Sequence, residues 1–167
     1  MRAGTESVAS IAGFGAAVRA AAADWTAEAA RLGRLRNLLT DRFRAEAPDA
    51  VVFGEGAPRL PNTVAFAVPG IEAATLLIAL DLAGVAVSSG SACSSGKVTP
   101  SHVLRAMGVK PSLVSGAIRV SLGWASTEAD VERFAEAFAA SIRRMRSGRP
   151  VERSLRDAER QGQKNRT

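Results

Sequence analysis

A chain of 167 residues, 47% of them apolar, holds enough material for one ordinary domain with its own core. Alanine accounts for 33 residues and Leu, Ile, Val and Phe together for 39, which excludes disorder of the chain as a whole and favours helices. The formal net charge of +6 is concentrated at one end: residues 143 to 167 carry nine basic side chains against Glu152, Asp157 and Glu159, and the other 142 residues balance at 13 of each sign.

In chain order, the first 46 residues read as helix, in two pieces joined near Asp24 and Trp25. In the second piece Leu32, Leu35, Leu39 and Phe43 recur at three- and four-residue steps and form one buried stripe, while Glu28, Arg31, Arg34 and Asp41 fall elsewhere. Pro48 stops that helix. Val51 to Phe53 is a short strand candidate, and Gly54, Gly56 and Pro58 mark a turn before a second strand from Asn62 to Val68. Ile71 to Ala83 reads as a helix with Glu72 in its first turn and Gly84 as its stop. Val85 to Val87 reads as a strand, Ser101 to Met107 as a short helix and Ala117 to Ser121 as a further strand. Thr127 and Asp130 open the last helix in the manner of a capping box, with Val131, Phe134, Phe138, Ile142 and Met145 as its stripe. This order predicts an α+β fold, a small sheet covered by helices. The polar run from 147 to 167 reads as a basic, solvated and disordered tail; lacking aromatic residues, it gives salt-sensitive attraction to polyanions rather than specific nucleic-acid binding.

No window reaches the ~18 unbroken apolar residues of a membrane span, and Val8 to Ala23 is interrupted by Arg19. That stretch also lacks the Leu-rich centre of a secretory signal. One cysteine excludes an internal disulfide framework, and with His102 as the single histidine it cannot build a Cys/His metal cluster. The expectation is a cytoplasmic, metal-free protein.

The most unusual segment runs from Ser88 to Lys97, where Cys93 sits among serines and glycines. A structural cysteine normally lies among bulky apolar residues. A loop position instead suits a thiol that acts as nucleophile in one place and is reached in another, and Lys97 would favour its thiolate. A loop cysteine without a role is the alternative reading of these residues.

Ser88 to Gly96, followed by Pro100 to Gly108 and then Ile118-Arg119-Val120-Ser121-Leu122-Gly123, resembles the C-terminal half of the cysteine desulfurases. These are pyridoxal phosphate-dependent enzymes of the class V aminotransferase group. Leu60-Pro61-Asn62-Thr63 and Arg2-Ala3-Gly4-Thr5-Glu6 add to the likeness, which covers residues 2 to about 146. It implies the small C-terminal domain of a fold type I enzyme over residues 25–146, with the Cys loop at 88–97, and a helix in residues 1–24 that joins a large domain lying outside this chain.

The resemblance also implies roles. Cys93 matches the catalytic cysteine that takes sulfur from L-cysteine as a persulfide, leaving alanine, and passes it to a sulfur-acceptor protein, as in iron–sulfur cluster assembly or tRNA thiolation. Arg119 matches the arginine that holds the substrate carboxylate, a task suited to its two-pronged guanidinium; from the residues alone, a salt-bridged surface arginine is the plainer reading. Thr5 matches a threonine that reaches the cofactor phosphate of the partner subunit in a homodimer, with a plain N-cap as its alternative. His102 falls in the matched segment at the head of a short helix, where capping or packing is expected rather than catalysis.

The family pattern also requires a Schiff-base lysine, an acid at the pyridine nitrogen and a ring stacked on the cofactor. Lys97, Lys110 and Lys164 are the lysines of the sequence, and none falls where that lysine is expected. The expected function is therefore a cysteine desulfurase's C-terminal part, dependent on a separately supplied cofactor half. The alternatives are a catalytically incomplete fragment that binds or dimerises, marked by an exposed apolar face of Ile11, Phe14 and Val18, another class V member such as a selenocysteine lyase, or a nucleic-acid module driven by the tail.

Overall fold

A single residue, Asp24, separates helix α1 (Val8–Ala23) from helix α2 (Trp25–Glu46), at the joint expected from the sequence. The computed structural model describes residues 6–89 and 101–148. After α2 come β1 (Val51–Val52), β2 (Thr63–Ala67), α3 (Ala73–Leu82), β3 (Ser88–Ser89), α4 (His102–Ala106), α5 (Pro111–Val114), β4 (Ile118–Ser121) and α6 (Glu128–Arg146).

The four strands form one antiparallel sheet in the order β1-β2-β4-β3. Its register pairs Phe66 with Ile118 and Ala65 with Arg119 between β2 and β4, and Ser88 with Arg119 between β3 and β4. Because side chains alternate along a strand, Ile118 and Val120 enter the core while Arg119 and Ser121 are exposed.

One face of the sheet is covered by α2, α3 and α6. The stripes of α2 and α6 are buried as their spacing requires, and Met145 is half-buried at the end of the second. They meet the sheet in an aromatic cluster. Phe43 stacks on Phe66 with ring centroids 4.2 Å apart, and Phe138 packs edge-on to both at 6.1 and 5.7 Å. Fully burying each of these rings contributes about 1.5–3 kcal/mol. The capping box of α6 is present: the Thr127 backbone N–H donates to Asp130 Oδ2 at 2.9 Å, and the Asp130 N–H donates to Thr127 Oγ1 at 3.3 Å. A smaller cluster of Phe53, Ala67, Leu104, Val114 and Ala117 gathers α4 and α5.

Gly116 lets the chain enter β4. A Cβ there would lie 2.5 Å from the Ile71 carbonyl oxygen, so the backbone turn before β4 can press against the start of α3, where the Ala73 N–H donates to the Ser115 carbonyl at 3.1 Å. Gly84 ends α3 at φ +75°, as its position suggested.

Three expectations change. The third strand is Ser88–Ser89 rather than Val85 to Val87: Val85 and Val87 are half-buried against the main core, and the ladder with β4 is made by the two serines that follow. Helix α5 was not anticipated, although Pro111 after Lys110 is a start signal. His102 neither caps nor packs. Ser101 is the N-cap of α4, its Oγ accepting from the Leu104 N–H at 3.3 Å, and His102 is exposed. Among the described residues, no helix is long and apolar enough to cross a membrane.

Candidate functional site

Arg119 stands in the middle of the sheet with small residues on either side, Ala65 opposite it on β2 and Ser88 opposite it on β3. Small cross-strand neighbours leave the guanidinium unscreened by bulk. Its own strand is buried through Ile118 and Val120, so the backbone that carries it is rigid while the side chain is exposed. Among the described residues, no carboxylate pairs with it and no side-chain hydrogen bond engages it. Within the described residues, then, Arg119 is not held in a surface salt bridge. A guanidinium presented in this way can take a carboxylate in two parallel charge-assisted hydrogen bonds.

The segment that contains Cys93 is anchored at both ends. At its start Ser89 is buried in β3 beside Ile118; at its end Ser101 is buried and caps α4. Cys93 and Lys97 themselves, and Thr5, lie outside the described residues, as does the tail from residue 149 onward. Of the three predicted site residues, Arg119 is thus the one whose geometry is established, and it is set next to the strand from which the Cys93 segment departs.

The far end of β4 is held by contacts that sequence reasoning missed. Leu122 N–H donates to the Asn62 carbonyl at 2.8 Å. Arg31 reaches across from α2 and donates to the carbonyls of Gly123, Trp124 and Ser126 at 3.2, 3.0 and 2.7 Å, while Glu28 grips its other edge at 2.7 Å. The Arg31 hydrogen bonds hold the Glu28 carboxyl below the usual carboxylate range. A helical Glu/Arg pair three residues apart looks like surface decoration in a sequence, because nothing local shows that the arginine also holds a loop more than ninety positions away.

The family model for class V aminotransferases matches residues 1–134. The chain belongs to the class V aminotransferase family. Within the family it is similar to the cysteine desulfurases. It is 39% identical over 153 residues to cysteine desulfurase IscS 1 of Archaeoglobus fulgidus, covering 92% of this chain and 40% of that protein. It is 42% identical over 132 residues to cysteine desulfurase NifS of Azotobacter vinelandii, covering 79% of this chain and 33% of that one. The fold is similar to that of a solved NifS-like protein from Rickettsia africae, with a TM-score of 0.74 and 33% identity over 84% of this chain and 36% of that one. The chain spans about two fifths of the length of the curated relatives it matches.

The described residues of this class V chain do not by themselves make a pyridoxal phosphate pocket. Lys110, the one lysine among them, is exposed at the N-cap of α5. The aromatic rings that could face a cofactor are either packed into the core, as Phe43, Phe66 and Phe138 are, or stand in solvent on α1 and α2 and after β4, as Phe14, Trp25 and Trp124 do.

Proposed function

We propose that this chain is the substrate-handling, sulfur-accepting part of a cysteine desulfurase. The observation that carries the proposal is the placement of Arg119: exposed, without an acidic partner among the described residues, and directly opposite Ser88 on the strand that leads to Cys93. The likeness to the IscS and NifS desulfurases gives that placement its chemical meaning.

In this reading Arg119 holds the carboxylate of L-cysteine through its guanidinium fork and so fixes which end of the substrate faces the thiol. Cys93 follows Ser89, the last residue of β3, by four positions in the sequence. Its thiolate takes the substrate sulfur as a persulfide, and alanine is the other product. The persulfide is a reversible state, which allows onward transfer to an acceptor protein, in iron–sulfur cluster assembly or tRNA thiolation. Pyridoxal phosphate and its lysine come from polypeptide outside this chain. Residues 25–146 form the small domain, residues 1–24 the connection to that polypeptide, with Thr5 reaching the phosphate across a homodimer, and the setting is cytoplasmic.

A second reading rests on α1. None of its sixteen residues is buried, and Ile11, Phe14 and Val18 are exposed together. A helix with this surface suits a chain whose role is to bind or dimerise, without turnover.

The test is to incubate the chain with pyridoxal phosphate and L-cysteine, alone and together with a cofactor-binding portion of a related desulfurase, and to assay alanine. Mass spectrometry then seeks a reductant-labile sulfur on Cys93, with C93A as control. Alanine and a Cys93 persulfide that depend on the added portion support the proposal. Complex formation without either product supports the binding role and overturns the catalytic one.

A further inference from the structure

The turn before β2 lies against α2 and brings two arginines together. Arg36, on α2, donates Nη1 to the Leu60 carbonyl at 3.0 Å and directs Nε and Nη2 to Asn37 Oδ1 at 3.4 and 3.1 Å. Arg59 immediately precedes Leu60 and is half-buried, and its Nη1 is shut off from solvent with no hydrogen-bond acceptor. Among the described residues neither guanidinium forms an ion pair. Glu55, whose carboxyl pKa is lowered first by the Arg44 hydrogen bonds and in part by the Arg59 charge, is held by Arg44 through two hydrogen bonds of 2.8 and 2.6 Å.

Such an arrangement is unusual in a finished fold. Buried N–H groups are almost always paired, and an exception calls for a bound water or ion as its explanation. The two arginines also repel each other: burial, and then the nearby Arg59 charge, hold the Arg36 pKa below its ordinary value. One anion would answer both costs, since a planar guanidinium matches the spacing of two oxygens on a phosphate or carboxylate.

We propose that Arg36 and Arg59 form a binding site for an oxyanion, a phosphate or carboxylate group, between α2 and the turn at residues 59–60. The site is independent of the desulfurase reading, because it lies on the turn into β2 and uses none of Cys93, Arg119 or Thr5. The exposed Leu60 beside it gives the bound group an apolar neighbour.

Thermal unfolding of the full chain in inorganic phosphate, in acetate and in chloride at matched ionic strength tests this, with R36M and R59M alongside. The expected result is a saturable rise in Tm with phosphate or acetate over chloride, about 3–6 °C at ten times Kd, that both variants lose. A rise with phosphate alone identifies a phosphate site, and a rise with acetate as well identifies a carboxylate site. R59M removes an unpaired N–H and a like charge, so it should unfold no earlier than the parent in chloride, which keeps the comparison between folded proteins. A general salting effect would be shared by parent and variants. A rise that persists in both variants would locate the anion elsewhere on the chain and overturn the proposal, as would the absence of any saturable rise.

Discussion

Ser88 and Arg119 face each other across the antiparallel β3–β4 pair, so the strand that leads into the cysteine segment and the strand that carries Arg119 are neighbours in one sheet. The pairing couples two pieces of sequence 31 positions apart into one frame. Arg119 is exposed and unpaired within the described residues, so Arg119→Ala should leave the fold within about 0.5 kcal/mol of the parent in urea unfolding. In a desulfurase completed with a cofactor-binding portion, the same change should lower kcat/KM for L-cysteine about 10- to 100-fold, through loss of charge-assisted hydrogen bonds. Arg119→Lys should recover part of this, since it restores charge without the fork.

Gly116 and Gly33 should respond oppositely to alanine. A Cβ at Gly116 meets the Ile71 carbonyl oxygen at 2.5 Å, a backbone atom that cannot swing away, so Gly116→Ala should destabilise by about 1–3 kcal/mol. Gly33 sits within α2 with nothing within 4 Å of the new methyl, and Gly33→Ala should stabilise by about 0.5–1 kcal/mol. Urea midpoints moving in opposite directions would confirm both.

Phe138 is fully buried and touches three other rings, those of Phe43, Phe66 and Phe134. Phe138→Ala should cost about 3–5 kcal/mol, because the rings around it belong to two helices and a strand that cannot all close onto the cavity. Phe14 on α1 is 73% exposed, and Phe14→Ala should leave the stability of the 25–146 fold unchanged.

Arg31→Ala should loosen the loop after β4. Hydrogen exchange at the amides of residues 123–126 should accelerate while that of α6 beyond its first turn stays as in the parent, because the three carbonyl contacts are lost but the Thr127–Asp130 cap remains. Uniform acceleration across α6 would show that the clamp supports the whole helix instead.

Acid should weaken the fold through three depressed carboxyls. Arg31 hydrogen bonds lower Glu28, Arg44 hydrogen bonds lower Glu55, and the backbone N–H and hydroxyl of Thr127 lower Asp130. A carboxyl whose folded pKa lies below its unfolded value binds fewer protons when folded. Its contribution is present above the ordinary values of 4.5 for Glu and 3.8 for Asp and is lost as pH falls through the folded pKa. Tm should therefore hold steady from pH 7 to about 5 and fall below that. All three groups are largely solvated, so the slope in Glu55→Gln should flatten slightly rather than vanish.

The core was legible in the sequence for a local reason. The stripes of α2 and α6 repeat at the helical period, and any partner that buries them buries the same residues, so Leu39, Phe43, Phe134 and Phe138 declared themselves without knowledge of the sheet. Helix ends were equally readable, since Gly84 and the Thr127–Asp130 pair act through their own backbone. The short strands were harder. Two residues have no period of their own, and Val85 and Val87 looked more strand-like than Ser88 and Ser89 until the ladder with β4 decided otherwise.

The candidate site divides along the same line. Cys93 stood out in the sequence through its serine and glycine surroundings, whereas Arg119 was singled out by the resemblance alone, since its residue type and spacing pointed to a salt-bridged surface arginine. That Arg119 faces Ser88, that Arg31 reaches the loop after β4, and that Arg36 and Arg59 converge are properties of residues tens of positions apart in the chain. Long-range pairing depends on which strands meet and in what register, which is an outcome of packing the whole core, and only the tertiary structure decides it.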